Sequence, residues 1–154
     1  MATQVQRSAK LISPAKVYYY PEAASQSFLK GEFVYLVSGK LTVVPAAVDS
    51  QVKIAGMALQ DATGTTDTAL AIAVAEEGVL FEMNATGAVT AITHVGGSYN
   101  LTITSNKHYI DLNAATFPRF KVKALSPRDA VGDTYGRVLV EVLGSICQLS
   151  GQTS

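Results

Sequence analysis

The chain has few cysteines and few charged residues; the first shortage excludes two kinds of site, and the second indicates that part of the surface is covered. Cys147 is the single cysteine, so a disulfide framework and a cysteine-based zinc site are excluded. Charged residues make up 16% of the 154 residues, below the roughly 25% of an average soluble protein. Hydrophobic residues make up 48%. A small, core-rich domain with so few charges indicates an oligomer or a docked partner that covers part of its surface.

The chain also has no excess charge of either sign. Its 12 basic and 12 acidic side chains cancel, so no global field draws it to nucleic acid or to an acidic membrane. The charges are nevertheless uneven: residues 1–20 contain Arg7, Lys10 and Lys16 but no acid, and no Lys or Arg lies between Lys53 and Lys107. Either these charges lie by chance on solvated faces, or a basic arm and an acidic face meet on neighbouring subunits or on a partner.

Long apolar runs are missing as well. The opening MATQVQRSAK has no hydrophobic segment, so no secretory signal is expected. The longest apolar runs, such as residues 69–75, are far shorter than the roughly 20 residues that span a bilayer. These features predict a soluble protein that is made in a cytoplasm and does not bind membranes.

Helix signals are scarce, and strand patterns dominate. Residues 32–37 and 40–44 flank Ser38-Gly39, which predicts a tight hairpin. Short apolar or alternating runs recur to residue 146, separated by Gly, Asp, Asn and Ser. The pattern predicts an all-β fold, a compact barrel or sandwich of about nine or ten short strands. Residues 1–24 have no clean period and are predicted to form an extended N-terminal arm outside the core, with residues 25–154 as the β-domain.

Three features of the sequence contain residue types that occur in metal, phosphate or catalytic sites. The loop from Gln60 to Ala71 (QDATGTTDTALA) has Asp, Thr and Gly, but its acids are spaced wrongly for an EF-hand, and it lacks the lysine of a phosphate loop. We interpret it as an exposed β-loop. His94 and His108 are too far apart for a local metal pair and are predicted to be separate surface or interface histidines. Cys147 is predicted to be a buried small hydrophobe. No catalytic residue, metal or cofactor is therefore predicted.

Two further features concern binding. Residues 119–125 (RFKVKAL) place Arg119, Lys121 and Lys123 on one face of a strand, which is typical of a solvated basic face rather than of a nucleic-acid platform. Three consecutive tyrosines precede Pro21, and they cannot all face one core. Either one of them packs on another chain, or the strand is buried locally with one tyrosine exposed.

Five segments of the sequence follow one another in an order that resembles the layout of a known protein family. "SFLKGEFVYLVSGKLTVV", "VKIAGMALQDAT" and "AIAVAEEGVLFEMN", followed by "VGGSYNLTITSNKHYIDL" and "FPRFKVKAL...GDTYGRVLVEVL", are similar in layout to capsid decoration (cement) proteins of tailed bacteriophages. The resemblance covers about residues 27–146. The matching residues are Phe28, Gly31, Glu32, Val34, Ile54, Gly56, Phe81, Glu82, Gly96, Tyr99, Leu101, Asp111, Gly132, Asp133, Arg137 and Val138. Most of them are turn glycines or apolar strand positions.

The resemblance implies a structural virion protein rather than an enzyme. Such proteins are homotrimers that sit on the outside of an expanded icosahedral capsid and cross-link major capsid subunits, with no small-molecule substrate. By this resemblance the N-terminal arm contacts either the capsid or a neighbouring subunit. The implied contact residues are Thr3, Gln4, Val5, Arg7, Lys10, Lys16, Tyr18, Tyr19 and Tyr20. Deleting residues 1–20 is expected to leave the β-domain folded and to weaken trimerisation or docking.

An alternative function is a glycan- or receptor-binding β-module of a phage head fibre or tail. In that case the loop from Gln60 to Ala71 and the exposed tyrosines would contact a sugar. Glycan sites usually place an aromatic platform beside Asp and Asn. This loop has no aromatic within eight residues on either side, which counts against the alternative. A hydrolase of unrecognised type is the third reading, and the missing catalytic set counts against it.

Overall fold

The computed structural model describes residues 3–5, 7–45, 52–86, 90–104 and 107–150. Within them the chain forms eleven strands and two short 3₁₀ turns. The strands are β1 (Lys10–Leu11), β2 (Val17–Pro21), β3 (Phe33–Val37), β4 (Lys40–Val43), β5 (Gly56–Ala58), β6 (Ala69–Val74), β7 (Phe81–Thr86), β8 (Ser98–Thr104), β9 (Lys107–Asp111), β10 (Phe120–Leu125) and β11 (Arg137–Val142). The all-β prediction is confirmed.

Five strands of the first sheet close into a small barrel. Their order is β7–β11–β10–β8–β9, and β9 returns to β7 through a parallel pairing of Ala85 with Ile110 and Thr86 with Asp111. The other pairings in the ring are antiparallel. β1 adds to the free side of β7 at Phe81 and Glu82, ahead of the residues that pair with β9. β7 therefore pairs both with β9, which closes the barrel, and with β1, the first strand of the chain.

The second sheet is antiparallel and has the order β2–β6–β5–β3–β4. Its two edge strands approach each other at one point, where Glu22 lies opposite Leu41 and the Ala23 N–H donates to the Leu41 carbonyl at 3.0 Å. The sheet is thus curled, and it buries apolar side chains on both of its faces.

The predicted hairpin is present. β3 and β4 pair from Val34–Val43 to Val37–Lys40 around the two residues Ser38 and Gly39. Their φ angles are 51° and 79°, both in the left-handed region that a two-residue primed turn requires. The turn fixes the register that directs Val34 and Leu41 into the fold.

Two apolar clusters form the core. The larger one fills the barrel and the joint between the sheets, and the smaller one lies inside the curled second sheet. Phe33 of β3 packs against Phe81 and Phe120 of the barrel, with ring centroids 5.2 and 5.0 Å apart. Burying a side chain of this size stabilises the fold by about 1.5–3 kcal/mol, so Phe33 is a main attachment of one sheet to the other.

Two predicted surface residues are buried, and both predictions were wrong. Arg119 was placed on a solvated basic face but is 1% exposed. Its backbone N–H donates to the Tyr99 carbonyl, and its guanidinium donates to the Phe117 carbonyl. His108 was predicted at a surface or an interface but is completely buried. Arg119 lies directly before β10 and bonds to β8, and His108 of β9 bonds to both ends of the β3–β4 hairpin. The residue type alone does not reveal either contact. Cys147 is buried, as predicted.

Candidate functional site

The N-terminal segment was predicted to bind a partner, so its placement comes first. We call residues 3–5 and 7–24 the N-terminal strip; residues 1–2 and 6 of the predicted arm lie outside the described residues. The strip is extended, but it is laid along the chain's own sheets: β1 pairs with β7 and β2 pairs with β6. Ala9 is buried in the larger core cluster. Within this chain the strip therefore forms edge strands rather than an arm outside the core.

The start of the strip is fixed to the loop before β11. Thr3 pairs with Thr134, and the Gln4 N–H donates to the Thr134 carbonyl at 2.8 Å. The Gln4 side-chain amide donates to the buried carboxylate of Asp133 at 2.7 Å. Val5 follows and is 67% exposed. Gln4 is thus occupied inside the chain, whereas Val5 is free to contact another surface.

Arg7 is likewise engaged within the chain. Its backbone N–H donates to the side-chain oxygen of buried Asn84 at 2.8 Å, and its guanidinium donates to the Val5 carbonyl at 2.9 Å. Asn84 in turn donates to the Tyr135 carbonyl. These bonds hold the strip flat against the barrel.

Gly31 allows the strip to cross the second sheet closely. Its φ is +95°, and a Cβ at this position would lie 2.7 Å from Ser8 Cβ and 2.9 Å from the Ala9 carbonyl oxygen. Any other residue would force the strip away from the sheet. The close approach of the strip therefore explains why a glycine occupies position 31 in this chain.

One basic residue of the strip, Lys16, pairs with an acid of the same chain. Lys10 is exposed and lies opposite Glu82 in the β1–β7 register, but the Glu82 carboxylate is engaged by Ser126 and Arg128. Lys16 Nζ lies 3.8 Å from Glu76 Oε1, with both side chains substantially exposed. An exposed ion pair of this kind contributes roughly 0–1 kcal/mol. The proposed meeting of basic and acidic segments thus occurs at least partly within one chain.

β2 presents apolar side chains to solvent on both of its faces. Val17 and Tyr19 are 48% and 66% exposed on one face, and Tyr18 is 44% exposed on the other. Tyr20 is half-buried against the smaller core cluster, and its ring lies edge-on to Tyr18 with centroids 6.3 Å apart. Burial, with a smaller effect of Tyr18, raises the pKa of Tyr20. Of the three tyrosines, Tyr20 belongs to the fold and the other two are available for contacts.

Glu22 ends the strip and anchors the loop from Gln60 to Ala71. The Glu22 side chain is completely buried. Its carboxylate accepts hydrogen bonds from the Thr63 N–H at 3.2 Å, the Thr63 hydroxyl at 2.5 Å and the Gly64 N–H at 2.9 Å. Sequence reasoning missed this residue, because its partners lie about forty positions away.

The two aspartates of the loop are also engaged. Asp61 accepts a hydrogen bond from the Lys30 N–H at 2.7 Å, and Asp67 pairs with Lys40 at 2.8 Å. Residues 63–67 are exposed, so the prediction of an exposed β-loop is confirmed. The loop is held by its own acids instead of presenting them as a ligand set.

His108 and Glu32 form a buried polar joint between the sheets. His108 of β9 accepts a hydrogen bond from the Phe33 N–H at Nδ1 (2.9 Å) and donates from Nε2 to the Val44 carbonyl (2.8 Å). Burial lowers the pKa of His108 to about 4, so the ring is neutral at neutral pH. Glu32 Oε1 lies 3.9 Å from Nδ1, and burial raises the pKa of Glu32. In the sequence, Glu32 is singled out only as one of the residues that carry the resemblance, and nothing there predicts its contact with His108.

Two further observations concern Cys147 and the metal-ligating side chains of the described residues. Burial, then the nearby carboxylates of Glu77, Glu141 and Glu76, raises the pKa of Cys147 to about 11, so its thiol stays protonated at neutral pH. Among the described residues, no three His, Cys, Asp or Glu side chains are placed to share a metal ion. An open groove borders the strip at Pro14, Lys16 and Glu76.

No helix in the described residues is long and apolar enough to cross a membrane. Comparison with models of known protein families and with curated proteins finds no match to this chain.

Proposed function

We propose that this protein is a structural virion protein that binds the outer surface of an expanded icosahedral phage capsid. In this proposal it acts as a homotrimer and stabilises the shell by cross-linking major capsid subunits. It is made in the bacterial host cytoplasm and has no enzymatic activity. The proposal rests on the resemblance over residues 27–146 and on one structural observation, the apolar exposure of the N-terminal strip.

That observation is the concentration of exposed apolar side chains in a short segment. Of the ten large hydrophobic side chains exposed in the described residues, five lie between residues 5 and 19: Val5, Ile12, Val17, Tyr18 and Tyr19. Single exposed hydrophobics are ordinary, whereas several along one segment are typical of an interaction surface. The bonds at Gln4, Arg7 and Glu22 hold the segment in place, so little ordering entropy opposes binding.

The stabilising effect follows from linkage. A ligand that binds only the expanded shell stabilises that shell by RT ln(1 + [L]/Kd), about 2.7 kcal/mol per site at a hundredfold excess over Kd. A trimer that touches three capsid subunits gains avidity even when each contact is modest. Apolar contacts of the size of Val5 and Ile12 suit such a repeated, modest interface.

The glycan-binding alternative receives less support. The two aspartates of the loop from Gln60 to Ala71 are engaged by Lys30 and Lys40, and its base is fixed by Glu22. At each aspartate the bond occupies Oδ1, so a sugar that binds at that oxygen would have to displace it.

Binding to undecorated expanded capsids tests the proposal. We expect purified protein to co-sediment with such capsids at a saturable stoichiometry, and the free protein to have the solution mass of a trimer. Exchanging Val5 and Ile12 for Ser should weaken binding about tenfold or more, since each removes exposed apolar area worth about 25 cal/mol per Å².

A matched control makes the same kind of change elsewhere. Val37→Ser and Val95→Ser alter side chains that are 45% and 38% exposed outside the strip, and binding should stay within twofold of the unaltered protein. The proposal is wrong if the protein does not bind the capsids, or if both double variants lose binding equally.

A further inference from the structure

The outer edge of β2 has no partner strand over most of its length. β2 ends the second sheet, with β6 on its inner side. On its outer side the backbone of the described chain makes a hydrogen bond only just past the end of β2, where the Ala23 N–H donates to the Leu41 carbonyl. Residues 17–19 therefore present a bare strand edge, together with three exposed apolar side chains.

The direction of each backbone group follows from the register. The Lys16 carbonyl accepts from the Val74 N–H, and the Glu22 N–H donates to the Thr68 carbonyl, each at 2.8 Å. Even-numbered residues of this strand thus bond to β6. In an antiparallel ladder the alternate residues point the other way, so the N–H and C=O groups of Val17 and Tyr19 face outward. Ala23 has the same parity and does donate outward.

We propose that two copies of this chain associate by pairing β2 with β2, antiparallel, across a two-fold axis at Tyr18. In that register Val17 of each copy lies opposite Tyr19 of the other, and both residues have outward-facing groups. The two pairs make four backbone hydrogen bonds. Tyr18 lies opposite its own counterpart at a non-hydrogen-bonded position, where side chains are closest. The edge is therefore complementary to itself.

The side chains and the flanking residues agree with this register. Val17 faces Tyr19 of the second copy on one side of the joined sheet, a β-branched and aromatic pair that strands favour. The next outward-facing pair would join Ala15 to Pro21, and proline has no N–H to donate. Pairing is thus limited to a short central segment, which predicts a weak, concentration-dependent contact rather than a permanent sheet.

The contact takes up Val17, Tyr18 and Tyr19 of the N-terminal strip and leaves its exposed Val5 and Ile12 for the capsid. A two-fold contact at β2 cannot itself build a trimer, since isologous pairing closes at two copies. If the protein is a trimer on capsids, the β2 contact joins one trimer to its neighbour. Because the pairing needs no capsid, it is tested on the purified protein, and its failure is separate from a failure to bind capsids.

Introducing a positive or a negative charge at Tyr18 is the most direct test. Tyr18→Lys or Tyr18→Glu places like charges directly opposite each other at the two-fold axis, so each variant alone should associate about tenfold more weakly in sedimentation equilibrium. An equimolar mixture of the two should associate at least as well as the unaltered protein, because opposite charges then meet. The control Val37→Lys adds a charge away from the pairing register and should leave association unchanged.

A proline variant tests the backbone independently. Tyr19→Pro removes an outward-facing N–H that the β2–β6 ladder does not use, and proline is tolerated on strand edges. The variant should keep its folded circular dichroism spectrum and lose the association. The proposal is overturned if the unaltered protein shows no two-fold association step at millimolar concentration, or if mixing the two Tyr18 variants restores nothing. It is also overturned if residues 17–19 gain hydrogen-exchange protection only when capsids are added, since a capsid strand would then be the occupant.

Discussion

At the scale of single residues, His108 links the two sheets through its neutral ring. Nδ1 accepts from Phe33 and Nε2 donates to Val44, so the ring bridges the end of the β3–β4 hairpin. Protonation would turn Nδ1 into a donor that faces the Phe33 N–H. It would also place a charge in a fully buried position. The joint therefore depends on His108 remaining uncharged.

The stability of the protein should fall as the pH drops from about 6.5 to about 4, the pKa values of His108 in the unfolded and the folded chain. The pKa of His108 is about 4 in the folded chain and about 6.5 when exposed. Between these values the unfolded state binds the extra proton, so stability rises with pH and falls with acidification. The full effect is about 3 kcal/mol. Urea unfolding at several pH values between 7 and 4.5 measures it.

Glu32 acts in the opposite direction and supplies the control. Its pKa is raised in the folded chain, so just above its ordinary value the folded state holds the proton and stability falls as pH rises. Glu32→Gln should therefore steepen the loss of stability on acidification, whereas His108→Gln should flatten it. A pH dependence that is the same in all three proteins would show that neither residue is responsible.

At the scale of elements, the loop between β5 and β6 is organised by a residue that precedes both strands. Glu22 accepts three hydrogen bonds from Thr63 and Gly64. In Glu22→Gln an amide N–H₂ faces at least one N–H donor of the loop, so at least one bond is lost in a buried place. We expect a loss of about 1–3 kcal/mol in the free energy of unfolding and faster amide exchange at residues 63–67.

Asp67→Asn is the matched change on the same loop. Asp67 has a φ of +68°, a conformation that Asn also tolerates. Its ion pair with Lys40 is exposed, so the variant should lose less than about 1 kcal/mol. If both variants cost the same, Glu22 is not the anchor of the loop.

The elements that could be predicted from the sequence are those with local causes. The two-residue turn at Ser38 and Gly39 could be predicted because glycine readily adopts the positive φ that such a turn requires. The burial of Cys147 could be predicted from its apolar neighbours in the sequence. The strands, though not all their bounds, follow from alternation. His108 and Arg119 could not be placed, because the His108 ring bonds to residues 75 and 64 positions away. β2 could not be assigned to a sheet, since VYYYP has no alternation and its partner β6 lies some fifty residues further on.

At the scale of the whole molecule, the N-terminal strip joins both sheets. β1 extends the barrel at β7, and β2 covers the edge of β6 before Glu22 reaches the loop and β4. Immediately before β1, Ala9 is buried beside Gly31. The structure therefore changes the expectation that residues 1–20 can be removed without affecting the fold, because their removal uncovers a strand edge on each sheet.

Two truncations separate the structural and the binding parts of the strip. Removing residues 1–7 deletes the bonds to Thr134, Asp133 and Asn84 but keeps both strands, so it should cost about 1–3 kcal/mol and leave cooperative unfolding intact. Removing residues 1–20 also deletes β1, Ala9 and the half-buried Tyr20. Its cost should be several kcal/mol, since the apolar burial of Ala9, Leu11 and Tyr20 is lost at about 25 cal/mol per Å². The backbone hydrogen bonds of β1 to β7 and of β2 to β6 are lost as well. Urea unfolding followed by circular dichroism compares them. If the longer truncation unfolded at the same urea concentration as the full chain, the strip would be an accessory to the fold, and its exposed side chains alone would explain its presence.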